Sequence, residues 1–226
     1  MQTNFLTSFS LKRVLLGLGI VIVVGYLTIF GPPFSKIKSI EVIHVVPIGS
    51  TTTNSAEQLQ QILNKEFPGI TTSIKETVSI PQGAFDVTRN QYNAVVLLQE
   101  LEKLPYAKNG TVIGITSLAL FTPDLNFVFS STKENIGVFT TLYLSYKVQG
   151  EQMIFDKDID ATLVQERIRK TVMRMVGVMA GLRPHLFGDY KCVMRFSNSL
   201  EDLDAKGTEW CGSEREKILQ AQGLSR

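Results

Sequence analysis

Between Ile159 and Leu182 the apolar residues Val164, Ile168, Val172, Met175, Met179 and Leu182 recur at steps of four, four, three, four and three. Those steps hold all six on one face of a helix, so the segment must bury that face along most of its length. A long helix with one buried stripe constrains the rest of the chain, because some other layer has to cover it. Arg167, Lys170 and Arg174 fall elsewhere on the same helix and read as a solvated basic face. Gly177 and Gly181 also fall in this stretch, each at a cost of about 1 kcal/mol relative to alanine. Their presence predicts a close approach by another part of the protein.

The segments before this helix supply the covering layer. Residues 40–48 are rich in β-branched side chains and predict a strand that contains His44, read as a satisfied strand histidine. Thr51 to Ser55 caps a helix from Ala56 to Phe67, which Pro68-Gly69 ends. Residues 71–80 predict a second strand, and Gln91 to Leu104 a second helix. Thr111–Thr116, Leu125–Phe129 and Ile136–Thr141 predict three more strands. Strands that alternate with helices in this way imply an α/β (α+β) domain with a mostly parallel mixed sheet.

Val14 to Phe30 carries no charge over seventeen residues, and the uncharged stretch runs on to Ser35. As a helix it would be about 26 Å long, close to the roughly 30 Å hydrocarbon core of a bilayer. The expectation is an anchor over 1–35 with its span at about 14–30, followed by a domain over 36–226. Lys12 and Arg13 ahead of the run also suit a cleaved signal peptide, and a buried core helix is a third reading. The run is long for a cleaved core, and Gly31-Pro32-Pro33 follows it where a small-residue cleavage site would stand. The expected localisation is therefore a single-pass membrane protein with its amino terminus in the cytoplasm, and the lipid bilayer as one partner.

Composition excludes several functions. All 21 acidic residues and 21 of the 23 basic ones follow residue 35, so the domain is formally neutral. Nucleic acid is an unexpected partner for such a surface. Two histidines, His44 and His185, and two cysteines, Cys192 and Cys211, exclude a three-histidine metal site, a four-cysteine zinc site and a dense disulfide framework.

The run from Cys192 to Asp202, CVMRFSNSLED, followed by Lys206, Cys211 and a closing helix, resembles the C-terminal signature of the archaemetzincins, zinc metallopeptidases of the metzincin clan. Phe85-Asp86-Val87, Gln91 to Ala94, Gly114-Ile115-Thr116 and Leu125 to Phe129 agree in order, so the likeness covers roughly 40–220. It implies a metzincin-like twisted sheet with packed helices. It also implies an active-site helix with His-Glu-x-x-His-x-x-Gly, whose histidines share one face and one zinc while the glutamate serves as base. In this chain the matching run is Arg174 to Leu182. Gly177 and Gly181 match the pattern, whereas Arg174, Met175 and Val178 stand at the first histidine, the base and the second histidine. The family's second, structural zinc is held by four cysteines. Cys192 and Cys211 match two of them, Glu214 takes the place of the last, and the first is missing or replaced by His185.

Several functional expectations follow. The leading one is a membrane-anchored, catalytically inactive pseudopeptidase, without a cofactor, acting as a binding or accessory subunit of a membrane protein complex. In it the Leu125–Phe129 region would wall a cleft that accepts a strand from a partner. The alternative is an active zinc metallopeptidase with a rebuilt metal site. A third is a non-metal hydrolase using Cys192 and His185. For the cysteines three states remain open: a Cys192–Cys211 disulfide, two buried thiols, or ligands of a zinc shared with His185 and Glu214. Met194 matches the methionine beneath the metal in metzincins and, with no metal expected there, reads as core packing.

Overall fold

The computed structural model describes residues 37–51, 53–149, 152–185 and 191–221. The expected anchor over 1–35, with its span at 14–30, lies outside them. Among the described residues no helix is long and apolar enough to cross a membrane.

The described residues begin with β1 (Val42–Pro47), α1 (Thr53–Glu66) and β2 (Thr71–Ile74). Next come β3 (Phe85–Asp86), β4 (Gln91–Asn93), α2 (Ala94–Glu102), β5 (Thr111–Thr116) and β6 (Leu120–Phe121). Then follow β7 (Ser130–Lys133), β8 (Ile136–Thr140), β9 (Tyr146–Gln149) and β10 (Gln152–Phe155). Three helices close the order: α3 (Ala161–Met179), α4 (Leu200–Ala205) and α5 (Glu214–Ala221).

The main sheet has the order β2-β1-β5-β8-β7. Its first four strands are parallel, and β7 runs antiparallel to β8 at the edge. The mixed, mostly parallel sheet expected from the sequence is present. Alternation along the strands divides the core into two layers. Ile43, Val45, Ile113, Ile115 and Phe139 face one side, where they meet Leu59 and Leu63 of α1 and Ile168, Val172 and Met175 of α3. Val46, Ile48, Val112 and Val138 face the other, where they meet Leu97, Leu98 and Leu101 of α2. Four residues of the predicted stripe, Ile168, Val172, Met175 and Met179, are each at most 5 % exposed, while Val164 is partly buried and Leu182 lies beyond the end of α3.

Several boundaries differ from the sequence reading, each for a local reason. The stretch expected to be a helix from Gln91 starts as strand β4, because Asn93 caps α2 by accepting a bond from the Val95 amide at 2.9 Å. The predicted strand 71–80 ends at Ile74. Leu125–Phe129 is no strand; its backbone turns at Thr122 and Leu125, and the extended edge is the polar SSTK of β7. Helix α3 stops at Met179, and Gly181, expected inside the helix, lies beyond it at φ +102°. That left-handed conformation favours glycine and lets the chain leave the helix sharply. Gly177 does sit in the helix, and a Cβ there would come 2.7 Å from Met194 Sδ and 2.9 Å from Trp210 Nε1.

The largest correction concerns the basic face of α3. Arg167 and Lys170 are 3 % and 2 % exposed, so this face is not solvated. Arg167 donates from Nε and Nη2 to both carboxylate oxygens of Asp204 at 2.7 Å, and from Nη1 to the carbonyls of Leu144 and Tyr146. Lys170 donates to the Asp204 carbonyl at 2.8 Å and pairs with Glu166 at 2.9 Å. Buried charges survive when every donor is matched in this way, and removing one partner strands the other. Arg167→Ala is therefore expected to lower stability by about 3–5 kcal/mol in denaturant titration, because Asp204 and two carbonyls lose their donor. Arg169→Ala, at the more exposed pairs with Glu66 and Glu209, should cost about 1 kcal/mol or less. Equal losses at the two positions would contradict this account.

Candidate metal centre and adjoining groove

Two short backbone pairings gather the sulfur and imidazole groups. His185 pairs in parallel with Arg195, donating its amide to the Met194 carbonyl at 3.0 Å while the Phe196 amide returns to the His185 carbonyl at 2.8 Å. Cys192 pairs in parallel with Glu209, and the Val193 amide donates to the Glu209 carbonyl at 2.9 Å. These contacts bring His185, Cys192 and Cys211 beside the first residue of α5, Glu214. The Glu214 oxygens lie 2.8 Å from His185 Nε2, 3.4 Å from Cys211 Sγ and 3.7 Å from Cys192 Sγ. One ligand atom from each of the four residues falls within 4.8 Å of the others. Cys192 and Cys211 are joined as a disulfide, with their Cα atoms 5.0 Å apart. The cluster is thus seen in its oxidised form, a bridge beside a His–Glu pair; reduction of the bridge would offer two thiolates to a metal.

The donor set fits zinc. Two thiolates, one imidazole and one carboxylate are ligands that zinc accepts in a tetrahedron. Cys192 is buried at 1 % exposure, whereas the His185 side chain is 38 % exposed, so the cluster is accessible from one side.

A groove of about 430 Å³ lies between edge strand β7 and helix α3. Leu125 to Phe129 and Ser130 to Thr132 form one wall, and Thr171 and Arg174 of α3 face them. Phe196, Ser197, Asn198, Leu203 and Lys206, with Thr122, complete the lining. The segment that supplies Cys192 to the cluster therefore continues into the groove. The helix positions Arg174, Met175 and Val178 have different places. Arg174 lies in the groove with its guanidinium 5.6 Å from the Phe196 ring centre. Met175 is fully buried, and its methyl would be 2.5 Å from a Cβ at Gly137. Val178 packs partly buried against the core.

Electrostatics set the groove apart. Burial lowers the pKa of Arg174. The Lys206 ammonium falls to about 7, first through burial and then through the charges of Arg174 and Lys170, against which Asp202 acts. Among the described residues Arg174 Nε and Ser197 Oγ are buried without a hydrogen-bond partner. Sequence reasoning quoted Lys206 within the C-terminal signature yet assigned it nothing; lysines are seldom buried, so composition gave no cue.

The profile of peptidase family M54 matches residues 48–220. The chain belongs to that family. An archaemetzincin from Pyrococcus furiosus is 30% identical over 194 residues, covering 81% of this chain and 95% of its own length. One from Haloquadratum walsbyi is 31% identical over 173 residues, covering 76% and 95%. The crystal structure of archaemetzincin from Methanopyrus kandleri superposes with a TM-score of 0.66 at 23% identity, over 81% of this chain and 96% of that one. A zinc-dependent peptidase from Methanocorpusculum labreanum gives 0.59 at 22%, over 78% and 99%. At these identities the structural likeness speaks for the fold.

The comparisons overturn the expected membrane-anchored, inactive accessory subunit. Family M54 and its archaemetzincin members support an archaemetzincin-like zinc metallopeptidase family, and nothing in them supports an accessory subunit. The expectation of no cofactor falls with it, since His185, Cys192, Cys211 and Glu214 assemble into a possible metal-binding group.

The depressed pKa of Lys206 has a consequence for stability. An unfolded lysine near 10.5 holds a proton that folded Lys206, near 7, has released, so the unfolded state binds more protons between those values. The contribution of Lys206 to stability therefore rises with pH across that window. In buffer free of phosphate and carboxylate, the stability of the protein relative to Lys206→Met should increase from pH 7 to pH 10. A difference that stays flat would mean that Lys206 remains charged in the fold.

Proposed function

We propose that this protein is a zinc metallopeptidase of the archaemetzincin type with a rebuilt metal site, at which His185, Cys192 and Cys211 hold the metal beside Glu214. The observation that carries this is the convergence of the four donor atoms within 4.8 Å of one another. The helix positions of the family pattern do not fit zinc. The Arg174 guanidinium keeps its proton and repels a cation, and Val178 is hydrocarbon. Met175 is enclosed against the sheet. When bound at the rebuilt site, zinc would supply Lewis-acid polarisation and an activated water.

The chain's own residues define the remaining steps. His185, Cys192 and Cys211 form a Cys2His set, one that leaves a fourth position open in catalytic zinc sites. Glu214 has one carboxylate oxygen on His185 and the other toward both sulfurs, where it can take a proton from a water. The groove receives the substrate. Edge strand β7 offers unpaired backbone groups to an extended peptide, which would add to the sheet as a sixth strand. The Cys192–Ser197 segment runs from the metal ligands to that groove.

A second reading has its own observation. With Glu214 as fourth ligand the shell is closed, as in structural zinc sites, and metal would then clamp α5 to the turn after α3. Purification under reducing conditions should yield one zinc per chain, and Cys211→Ser should lose it. Under the peptidase reading, Glu214→Gln keeps the metal and loses peptide hydrolysis by at least about 100-fold. If zinc-loaded wild-type protein cleaves no peptide, and metal removal lowers only its melting temperature, the site is structural and the proposed activity is wrong.

A further inference from the structure

Among the described residues the groove contains two cations and no anion. Of its sixteen lining residues, Arg174 and Lys206 are the charged ones, and no aspartate or glutamate is among them. Lys206 is 4 % exposed, and its Nζ has one long bond, 3.4 Å to the Arg195 carbonyl. Arg174 and Ser197, whose Nε and Oγ are buried without a partner, both line this cavity. Arg167, on the same helix, shows what a satisfied buried cation looks like in this protein: a bidentate carboxylate and two carbonyls. Arg174 has only the Phe196 ring face among the contacts seen, and a ring does not use the in-plane donor at Nε. A buried charge without a counter-ion is expensive, and the arrangement lacks an acceptor with a negative charge.

We propose that Arg174, Lys206 and Ser197 form a carboxylate-binding site at the floor of the groove, which takes the free C-terminal carboxylate of a peptide. The planar guanidinium matches a carboxylate bidentately, Lys206 adds a point charge, and Ser197 donates one further bond. The peptide backbone then follows β7. The part about the peptide's course rests on the peptidase reading above; the anion site does not. Occupancy also explains how Lys206 tolerates its place. Its pKa near 7 reflects burial with Arg174 and Lys170 on the α3 side and only Asp202 on the α4 side, while β7 contributes no titratable group to the lining. A bound carboxylate restores the charge to Lys206, so binding takes up protons above pH 7 and weakens as pH rises from 7 to 9.

Calorimetric titration of the full chain with a short peptide as its free acid, and with the same peptide amidated, tests the proposal. The free acid should bind at least about tenfold more tightly than the amide, and Lys206→Met should remove most of that difference. The wild-type comparison needs no variant, so a folding defect in Lys206→Met leaves the test intact. Inorganic phosphate is the second probe. If phosphate binds more tightly than the free-acid peptide, or if acid and amide bind equally, the C-terminal carboxylate assignment is overturned. Hydrolysis is not read in this titration. Loss of acid preference therefore counts against the anion site alone, whereas a zinc-loaded protein that prefers the acid but cuts nothing counts against the peptidase reading.

Discussion

Helix α3 is covered on so much of its circumference that two of its cations, Arg167 and Lys170, end inside the protein, and much of the C-terminal architecture follows from how they are matched. Arg167 takes both oxygens of Asp204, and Lys170 takes the carbonyl of the same residue. Asp204 lies on α4, so these bonds fix α4 against the helix that supports the sheet. The chain between them is held as well: Gly177 admits Met194 and Trp210 against the helix, and the bridges at His185 and Cys192 extend from that contact. Without the Arg167–Asp204 lock, the segment that carries Cys192, Lys206, Cys211 and Glu214 would lose its seat.

Arg174, two turns further along, is the exception. It points into the groove with Lys206, and no aspartate answers it there. The same helix thus uses one kind of side chain in two ways. Near its start the charge is consumed by structure; near its end it is left for something that enters the groove. Polar groups left unsatisfied in a native interior call for an explanation, and Arg174 Nε and Ser197 Oγ receive the same one.

Much of this fold could be read from the sequence where burial is two-sided. Thr111–Thr116 and Ile136–Thr140 are buried at every position, so their β-branched and apolar runs signalled strands at nearly the right limits. The α3 stripe was legible because a single helix face carries it. The edge strand β7 was missed because Ser130 to Lys133 has no apolar pattern; it is extended by pairing with β8 rather than by its own side chains. The burial of Arg167 was invisible, since its partner is thirty-seven residues away and charge alone suggests solvent. The four donors His185, Cys192, Cys211 and Glu214 came from family resemblance, and only the pairings at 185–195 and 192–209 show that they meet. Nothing in the sequence pattern marked Lys206 as buried.

The central claim is that metal belongs to the C-terminal cluster and not to the helix positions Arg174, Met175 and Val178. Zinc X-ray absorption on the reduced, metal-loaded protein tests it directly, because sulfur and light-atom ligands scatter at different distances. The account predicts two sulfurs at about 2.3 Å, with one imidazole nitrogen and one oxygen at about 2.0–2.2 Å. A bound zinc whose first shell contains no sulfur would contradict it.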